Sequence, residues 1–264
     1  MGDTGPCGPC TEIYYDLGSK YDGVLPTEGD PKDRYIEIWN LVFTQYNKTS
    51  SGNLEELPQK CVDTGMGLER VQSIVEGLSD NYDSSIFLDL NNFIDSKLNL
   101  KAKEKYVKKI LLDHIRACCH LIGDNVIPDR EGRGYVLRRI LRRSSRFIYK
   151  HNIKEPFLYQ CAEVVCEKSK DFPSLKKDII NMVDTIKTEE TKYLKTFGKG
   201  IDIIDNHLKK HKSLDAEMIF TLYDTYGFPY EITEEIASEK NIKLDKKGYD
   251  NLMLEQKNKA RKSK

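Results

Sequence analysis

The run CVDTGMGLERV at residues 61–71 gathers a carboxylate, two glycines and an arginine around one turn. Gly65 and Gly67 carry no Cβ, so a ligand can approach their backbone closely. A helix opening near Leu68 adds amide donors and the positive end of its dipole, which suits an anion. Arg70, one turn into that helix, offers a bidentate phosphate contact, and Asp63, at the end of a short preceding strand, can hold an ammonium group. The same residues equally make a structural turn, and two glycines with one arginine do not choose between the readings. A second array lies at residues 34–46, RYIEIWNLVFTQY. With a strand's period of two, Ile36, Ile38, Asn40, Val42 and Thr44 share a face, which sets an amide beside a small apolar group. That face is either the lining of a small pocket or a core in which the amide pairs with backbone.

A third array is cationic. The chain holds 11 arginines, and seven of them (Arg130, Arg133, Arg138, Arg139, Arg142, Arg143 and Arg146) fall within 17 residues. The planar fork of arginine fits phosphate two bonds at a time, whereas lysine is a mobile point charge. Residues 130–150 carry eight basic groups against one acid, Glu131, a balance that calls for a polyanion such as a nucleic acid. Two or three of the eight are expected to pair with carboxylates on neighbouring helices instead.

The elements that position these arrays divide the chain. Residues 1–78 read as strands, glycine turns and one helix start, and residues 79–264 as helices joined by short polar loops. Residues 11–16 and 34–46 are rich in β-branched and aromatic side chains and predict strands, separated by a glycine and proline cluster at residues 18–31. From residue 103 the apolar spacing lengthens to three and four, with Val107, Ile110, Leu111, Ile115, Cys118, Leu121 and Ile122 on one helix face. A second amphipathic helix spans about 135–149, with Val136, Leu137, Ile140, Leu141, Phe147 and Ile148 inward. Further helices are expected near 156–170, 174–210, 215–225 and 246–262.

Composition bounds the function. At 264 residues, 39% hydrophobic and 32% charged, the chain has enough apolar content for a core and too much charge for a membrane protein. No run approaches the roughly 20 apolar residues that span a bilayer, and the first residues have no basic flank or apolar run. A cytoplasmic location is expected. The seven cysteines (Cys7, Cys10, Cys61, Cys118, Cys119, Cys161 and Cys166) are odd in number and scattered, which argues against a disulfide framework. Cys7 and Cys10 form a lone C-x-x-C without a second pair, so packing rather than metal binding is expected of them. His207 and His211, four apart among lysines, read as a solvated helix face.

Six blocks, GDTGPCGPCTEIYYD, EIWNLVFTQYN, VDTGMGLERV, DHIRACCHLI, GRGYVLRRILRR and LYDTYGFP, resemble the alanyl-tRNA synthetases in wording and order, essentially from end to end. The resemblance implies an α+β fold: part of the class II synthetase antiparallel sheet, with motif 3 in VDTGMGLERV, followed by an all-helical domain that docks the tRNA acceptor stem. It implies ATP-dependent alanine activation and transfer to tRNA-Ala, with ATP and magnesium and no zinc site in these residues. The substrate carboxylate is itself the nucleophile on the α-phosphate, so the protein positions and neutralises. Carried over by position, Arg70 is the catalytic motif 3 arginine that binds the ATP phosphates, and Gly67 packs against adenine and ribose. Glu12 is a candidate near magnesium or the ribose. Asn40, Val42, Asp63 and Gly65 form the alanine pocket, with Asp63 on the substrate ammonium and Val42 limiting side-chain size. Asp129, Arg130, Arg133, Arg138, Arg139, Arg142, Arg143, Arg146 and Asp224 are the tRNA-binding candidates, and the remainder of the synthetase chain is an implied partner.

The chain departs from that pattern in two places. Arg130 stands where the family has an asparagine that reads the G·U pair of the acceptor stem. An arginine donates but cannot accept, so it does not reproduce every bond of an amide. Motifs 1 and 2 precede GDTGPCGPC in the family, and an editing domain follows the helical one. The chain by itself is therefore expected to adenylate poorly or not at all. The alternative from a different class is a non-catalytic tRNA or RNA-binding module derived from the same family.

Overall fold

The computed structural model describes residues 3–101, 104–169, 172–226 and 228–262. The chain folds as two compact units, Met1–Lys97 and Leu98–Lys264. Of the blocks above, Gly2 and Gly227 lie outside the described residues.

The first unit is built on an antiparallel sheet of β1 (Gly5–Cys7), β2 (Cys10–Asp16), β3 (Tyr35–Lys48) and β4 (Leu54–Met66). β3 is central, with β1 and β2 end to end along one edge and β4 along the other. Its fourteen residues are dominated by aromatic and β-branched side chains, which suit a pleated surface paired on both edges. The two expected strands are thus found within a residue or two of their expected limits. The third, expected to be short, runs thirteen residues because it pairs with β3 along nearly its whole length. Gly8 links β1 to β2 where the chain nearly touches β3. A Cβ there would stand 1.8 Å from the carbonyl oxygen of Phe43, so only glycine fits. The return from β2 to β3 is closed by Arg34, whose Nε and Nη2 donate to the two oxygens of Asp16 at 2.8 and 2.9 Å. That fork, with the Gly18 N–H, holds the Asp16 carboxyl down at about 2.

After β4 the unit continues as α1 (Leu68–Val75), a 3-10 turn at Asn81–Asp83 and α2 (Leu88–Lys97). Phe87, Leu90 and Ile94 are buried. α2 is absent from the sequence reading, since its apolar residues are few and diluted by Asn and Asp.

The second unit comprises α3 (Lys105–Gly123), α4 (Gly132–Lys150), α5 (Leu158–Lys168), α6 (Pro173–Lys177), α7 (Ile179–Leu208), α8 (Ala216–Asp224), α9 (Tyr230–Glu239) and α10 (Lys246–Lys262). It is helical except for a parallel pair of two-residue strands, β5 (Ser213–Leu214) and β6 (Lys243–Leu244), a small correction to the all-helical expectation. The single helix expected over 174–210 is broken at Asp178, whose φ of −141° is not helical. α9 is likewise absent from the sequence reading, because its sequence YEITEEIASE is acidic and weakly patterned.

α3 ends in a left-handed cap: Asn125 has φ 63°, and the Val126 N–H reaches the Leu121 carbonyl at 2.9 Å. On α4 the buried face is Leu137, Leu141, Ser144, Ser145, Arg146 and Ile148. Val136, expected inward, is 52% exposed, because the helical period places it a quarter-turn from Leu137. One core cluster joins Tyr193, Leu194, Phe197 and Ile204 of α7 to Leu214, Ile219, Leu222, Phe228, Ile236 and Tyr249.

Four cysteines, Cys118, Cys119, Cys161 and Cys166, are buried, whereas Cys10 and Cys61 are exposed and Cys7 is half-buried. Packing does not explain Cys10. Burial pushes the thiols of Cys118 and Cys161 up, which makes them poor nucleophiles. The His207 and His211 rings stack at 4.3 Å, and His207 Nε2 lies 3.2 Å from the Ser213 carbonyl oxygen. No helix among the described residues is long and apolar enough to cross a membrane.

Candidate active site and nucleic-acid interface

The register of the first sheet draws two rows across its strands. Glu12, Asn40 and Gly65 stand opposite one another in the first, and Cys10, Val42 and Asp63 in the second. Residues opposed in an antiparallel pair share a face. The structure therefore brings Glu12, Asn40, Val42, Asp63 and Gly65 together on one face of the sheet. A hydrogen-bond chain ties the first row: the Tyr14 hydroxyl donates to Glu12 Oε2 at 2.7 Å, and Asn40 Nδ2 donates to Glu12 Oε1 at 3.1 Å. Accepting on both oxygens, Glu12 fixes the Asn40 amide. The same hydrogen bond, with burial and the charges of Glu12 and Glu37 adding, pushes the Tyr14 phenol up to about 12. The space over Gly65 is open, since a Cβ built there meets nothing within 4 Å.

α1 starts where β4 ends, and the turn is pinned by the Gly67 N–H on the Ile38 carbonyl at 3.0 Å. Gly67 is the N-cap, and no side chain caps the helix. The aliphatic stem of Arg70 lies across Gly67, 3.2 Å from where a Cβ would be. Arg70 Nη1 donates to the Glu37 backbone oxygen at 2.6 Å and lies 3.9 Å from its carboxylate. A guanidinium has five N–H donors, so this anchor leaves most of the fork for a ligand.

The simple alternation expected along β3 fails where it pairs with β2. The pairing skips Ile38: Ile13 opposes Trp39, but Tyr14 opposes Glu37. This bulge turns the strand. Tyr14 shares the face of Glu12, two residues before it and bonded to it, so Glu37 falls on the face of Asn40. Ile36, expected there, opposes Tyr15 and lies on the other side. Tyr14 and Glu37 are thus members of the site that sequence reasoning missed. Only Tyr14 had a legible signal, its two-residue spacing from Glu12.

In the second unit the cations of α4 sort into two groups. Arg138 and Arg142 each donate Nε to Glu189 Oε1 of α7 at 2.9 Å. Arg146, 6% exposed, pairs with Glu235 and, at 2.8 Å, with Glu239 of α9, and Lys150 also pairs with Glu239. Four of the eight basic groups are therefore held by carboxylates, where two or three were expected. Arg130, Arg133, Arg139 and Arg143 are exposed and make no ion pair among the described residues.

The loop before α4 is seated on Gly134, where a Cβ would stand 2.4 Å from the Ile127 carbonyl oxygen and 2.6 Å from Asp129 Cβ. Asp129 itself accepts from the Arg130 N–H at 2.6 Å. Asp224, exposed at the end of α8, accepts from Gln256 Nε2 of α10. Among the described residues no group of three or more His, Cys, Asp and Glu is placed to hold a metal ion.

The alanine–tRNA ligase of Neisseria meningitidis serogroup C is 44% identical over 267 residues, covering 99% of this chain and 30% of that protein. Those of Rickettsia akari and Halorhodospira halophila are each 42% identical, covering 100% and 99% of this chain and 31% of the relative. The chain thus spans about 30% of the length of these relatives. The family described as tRNA synthetases class II (A) matches residues 1–264. With every residue matched, the chain belongs to that family, the tRNA synthetases class II (A).

Proposed function

We propose that these residues serve an ATP-dependent alanine–tRNA ligase, with the sheet face as half of its activation site and the helical unit as its docking surface for the tRNA-Ala acceptor stem. The observation that carries the reading is the pair of rows Glu12, Asn40, Gly65 and Val42, Asp63, which leads into Gly67 and Arg70. In it Asp63 takes the alanine ammonium, Val42 bounds the methyl group, and the open space over Gly65 receives the substrate backbone. A pocket of that size rejects larger residues by clash, yet discriminates against glycine or serine by only about 1–3 kcal/mol.

Arg70 binds the ATP phosphates and stabilises charge as pyrophosphate leaves, with Glu37 anchoring the guanidinium. Magnesium uses one or two carboxylates together with substrate phosphates, so the single carboxylate of Glu12 fits a role beside the nucleotide. Magnesium would neutralise phosphate charge there. The free forks of Arg130, Arg133, Arg139 and Arg143 contact phosphates, Arg138, Arg142 and Arg146 hold α4 in place, and Asp129 and Asp224 face the stem. Arg130 in place of an amide alters how the G·U pair is read.

The second reading is a non-catalytic RNA-binding module. It is favoured by the exposure of twelve of the thirteen residues of β4, which leaves the sheet open. A pyrophosphate-exchange assay and binding of an acceptor-stem hairpin, each on this chain, separate the cases. The proposed function expects salt-dependent hairpin binding, binding of an alanyl-adenylate analogue that is abolished in Asp63→Ala, and little exchange without the rest of the ligase. Hairpin binding with no affinity for the analogue would favour the module. Absence of hairpin binding by the folded chain would overturn both.

A further inference from the structure

The geometry points to a second phosphate-contact row beside α4: Lys192, Lys195 and Lys199 of α7, acting on the backbone of a double-stranded RNA stem. The inference rests on the RNA-docking reading of the helical unit and extends it to a helix that the arginine cluster does not include.

The spacing of three and then four residues places the lysines on one face of α7. All three are exposed, and none makes an ion pair among the described residues. Between Asp184 and Asp202 every exposed charge on α7 is a lysine. The only two acids of that stretch, Glu189 and Glu190, are turned inward at 7% and 1% exposure. A solvated face kept soluble by mixed charge would alternate in sign; this one keeps a single sign along the row, until the exposed Asp202 three residues past Lys199.

The neighbour of the row decides its meaning. Arg138 and Arg142 meet Glu189, Arg142 lies over the Tyr193 ring at 5.6 Å, and Tyr149 packs on Phe197 at 5.0 Å. Contacts that ascend together along both helices mean that α4 and α7 run side by side in parallel. Glu189 marks the side of α7 that faces α4. Lys192 follows it by three residues, about 60° away round the helix, and Lys199 falls close to Lys192. Lys195, six residues on, is about 120° away, so the row borders α4 through Lys192 and Lys199, and on α4 Arg139 and Arg143 are exposed and make no ion pair among the described residues. Packed helices lie about 8–10 Å apart.

Two cationic rows on neighbouring helices, one of forks and one of point charges, present a broad surface rather than a single stripe. Double-stranded RNA is bound mostly through shape, 2′-hydroxyl and phosphate contacts. Lysines contribute position and affinity to such a complex, not base identity.

The test is the salt dependence of binding between this chain and an acceptor-stem RNA hairpin. In Lys192→Ala/Lys195→Ala/Lys199→Ala the slope of log K against log salt is expected to fall by about two to three, at ~0.9 for each phosphate no longer neutralised. Base preference is expected to stay unchanged. Removing the same charge elsewhere, in Lys210→Ala/Lys243→Ala/Lys247→Ala, leaves the slope as it was. The inference is overturned if both triple variants change the slope equally, or if the lysine row binds poly-glutamate of matched charge as well as RNA. A reduced slope in Arg139→Ala/Arg143→Ala alone would leave the docking reading standing and remove the α7 row. Failure of the unaltered, folded chain to bind the hairpin would remove both.

Discussion

Glu189 holds Arg138 and Arg142 at once, each guanidinium donating Nε to the same carboxylate oxygen at 2.9 Å. One buried acid on α7 thus fixes two turns of α4 and leaves a net positive charge between the two helices. Hydrogen bonds to a charged group contribute about 1.5–3 kcal/mol each, less here because the two arginines keep a fifth to a quarter of their exposure. Glu189→Gln keeps an acceptor and removes the charge. It is expected to destabilise the helical unit by about 1–2 kcal/mol, read as a lower urea midpoint. RNA binding at low salt is expected to tighten, since phosphate no longer competes with the carboxylate. Opposite movement of the two readouts is the signature; a parallel decline would mean that α4 has been displaced.

A second buried acid makes stability depend on pH. Glu190 Oε2 accepts from the N–H groups of Phe157 and Leu158 at 2.9 Å, which caps the start of α5, while Oε1 has no partner among the described residues. Burial raises its pKa from 4.5 to about 8 against the opposing pull of those two donors. The Cys161 thiol facing it is itself pushed up by burial and stays neutral in this range. The folded chain therefore holds a proton that the unfolded chain has released between pH 4.5 and about 8. Stability contributed by the neutral acid is complete below the lower value and declines as pH rises through the window. Glu190→Gln is expected to flatten the decline, with urea unfolding at pH 5, 7 and 9 as the measurement. A wild-type slope that survives in the variant would assign the dependence to another group.

Gly8 tests the sheet. With 1.8 Å between a new Cβ and the Phe43 oxygen, Gly8→Ala must push β1 and β2 off β3, where no flexible side chain can yield. A cost of roughly 3 kcal/mol is expected, at the upper end for forced overpacking. Hydrogen exchange should show it as reduced protection at Phe43, whose N–H bonds to the Pro9 carbonyl at 2.8 Å. Protection in the helical unit should not change.

The sequence disclosed what its own periodicity encodes. β2, β3, α3 and α4 carry strong two-fold or 3.6-fold patterns, and the placing of Asn40 and Val42 on one face of β3 follows from alternation alone. What it did not disclose depends on partners far along the chain. The bulge at Ile38 is set by pairing with β2 across the long connection after Asp16, so Glu37 could not be placed on the site face. Which arginines are free depends on Glu189, 51 residues from Arg138, and on Glu239, 93 residues from Arg146. The spacing within α4 holds no trace of either. α9 is illegible for a related reason: only Thr233, Ile236 and Ala237 are buried, and four of its other seven residues are glutamates.

Two glycines separate stability from binding. At Gly200 a Cβ would stand 2.1 Å from the Phe228 ring, inside the core cluster, so Gly200→Ala is expected to cost about 1–3 kcal/mol through overpacking. At Gly65 the same atom meets nothing within 4 Å, and alanine suits a strand no worse than glycine. Gly65→Ala is therefore expected to leave the thermal midpoint within the range of a neutral surface change, about 0.5 kcal/mol. Its methyl group would occupy the space between Asn40 and Asp63, where the proposed function seats the substrate. Affinity for the alanyl-adenylate analogue should fall at least tenfold while the fold is unchanged, and hairpin binding through α4 should be unaffected. If Gly65→Ala binds the analogue as well as the unaltered chain does, the rows across β2, β3 and β4 are not the alanine pocket, whatever the helical unit does with RNA.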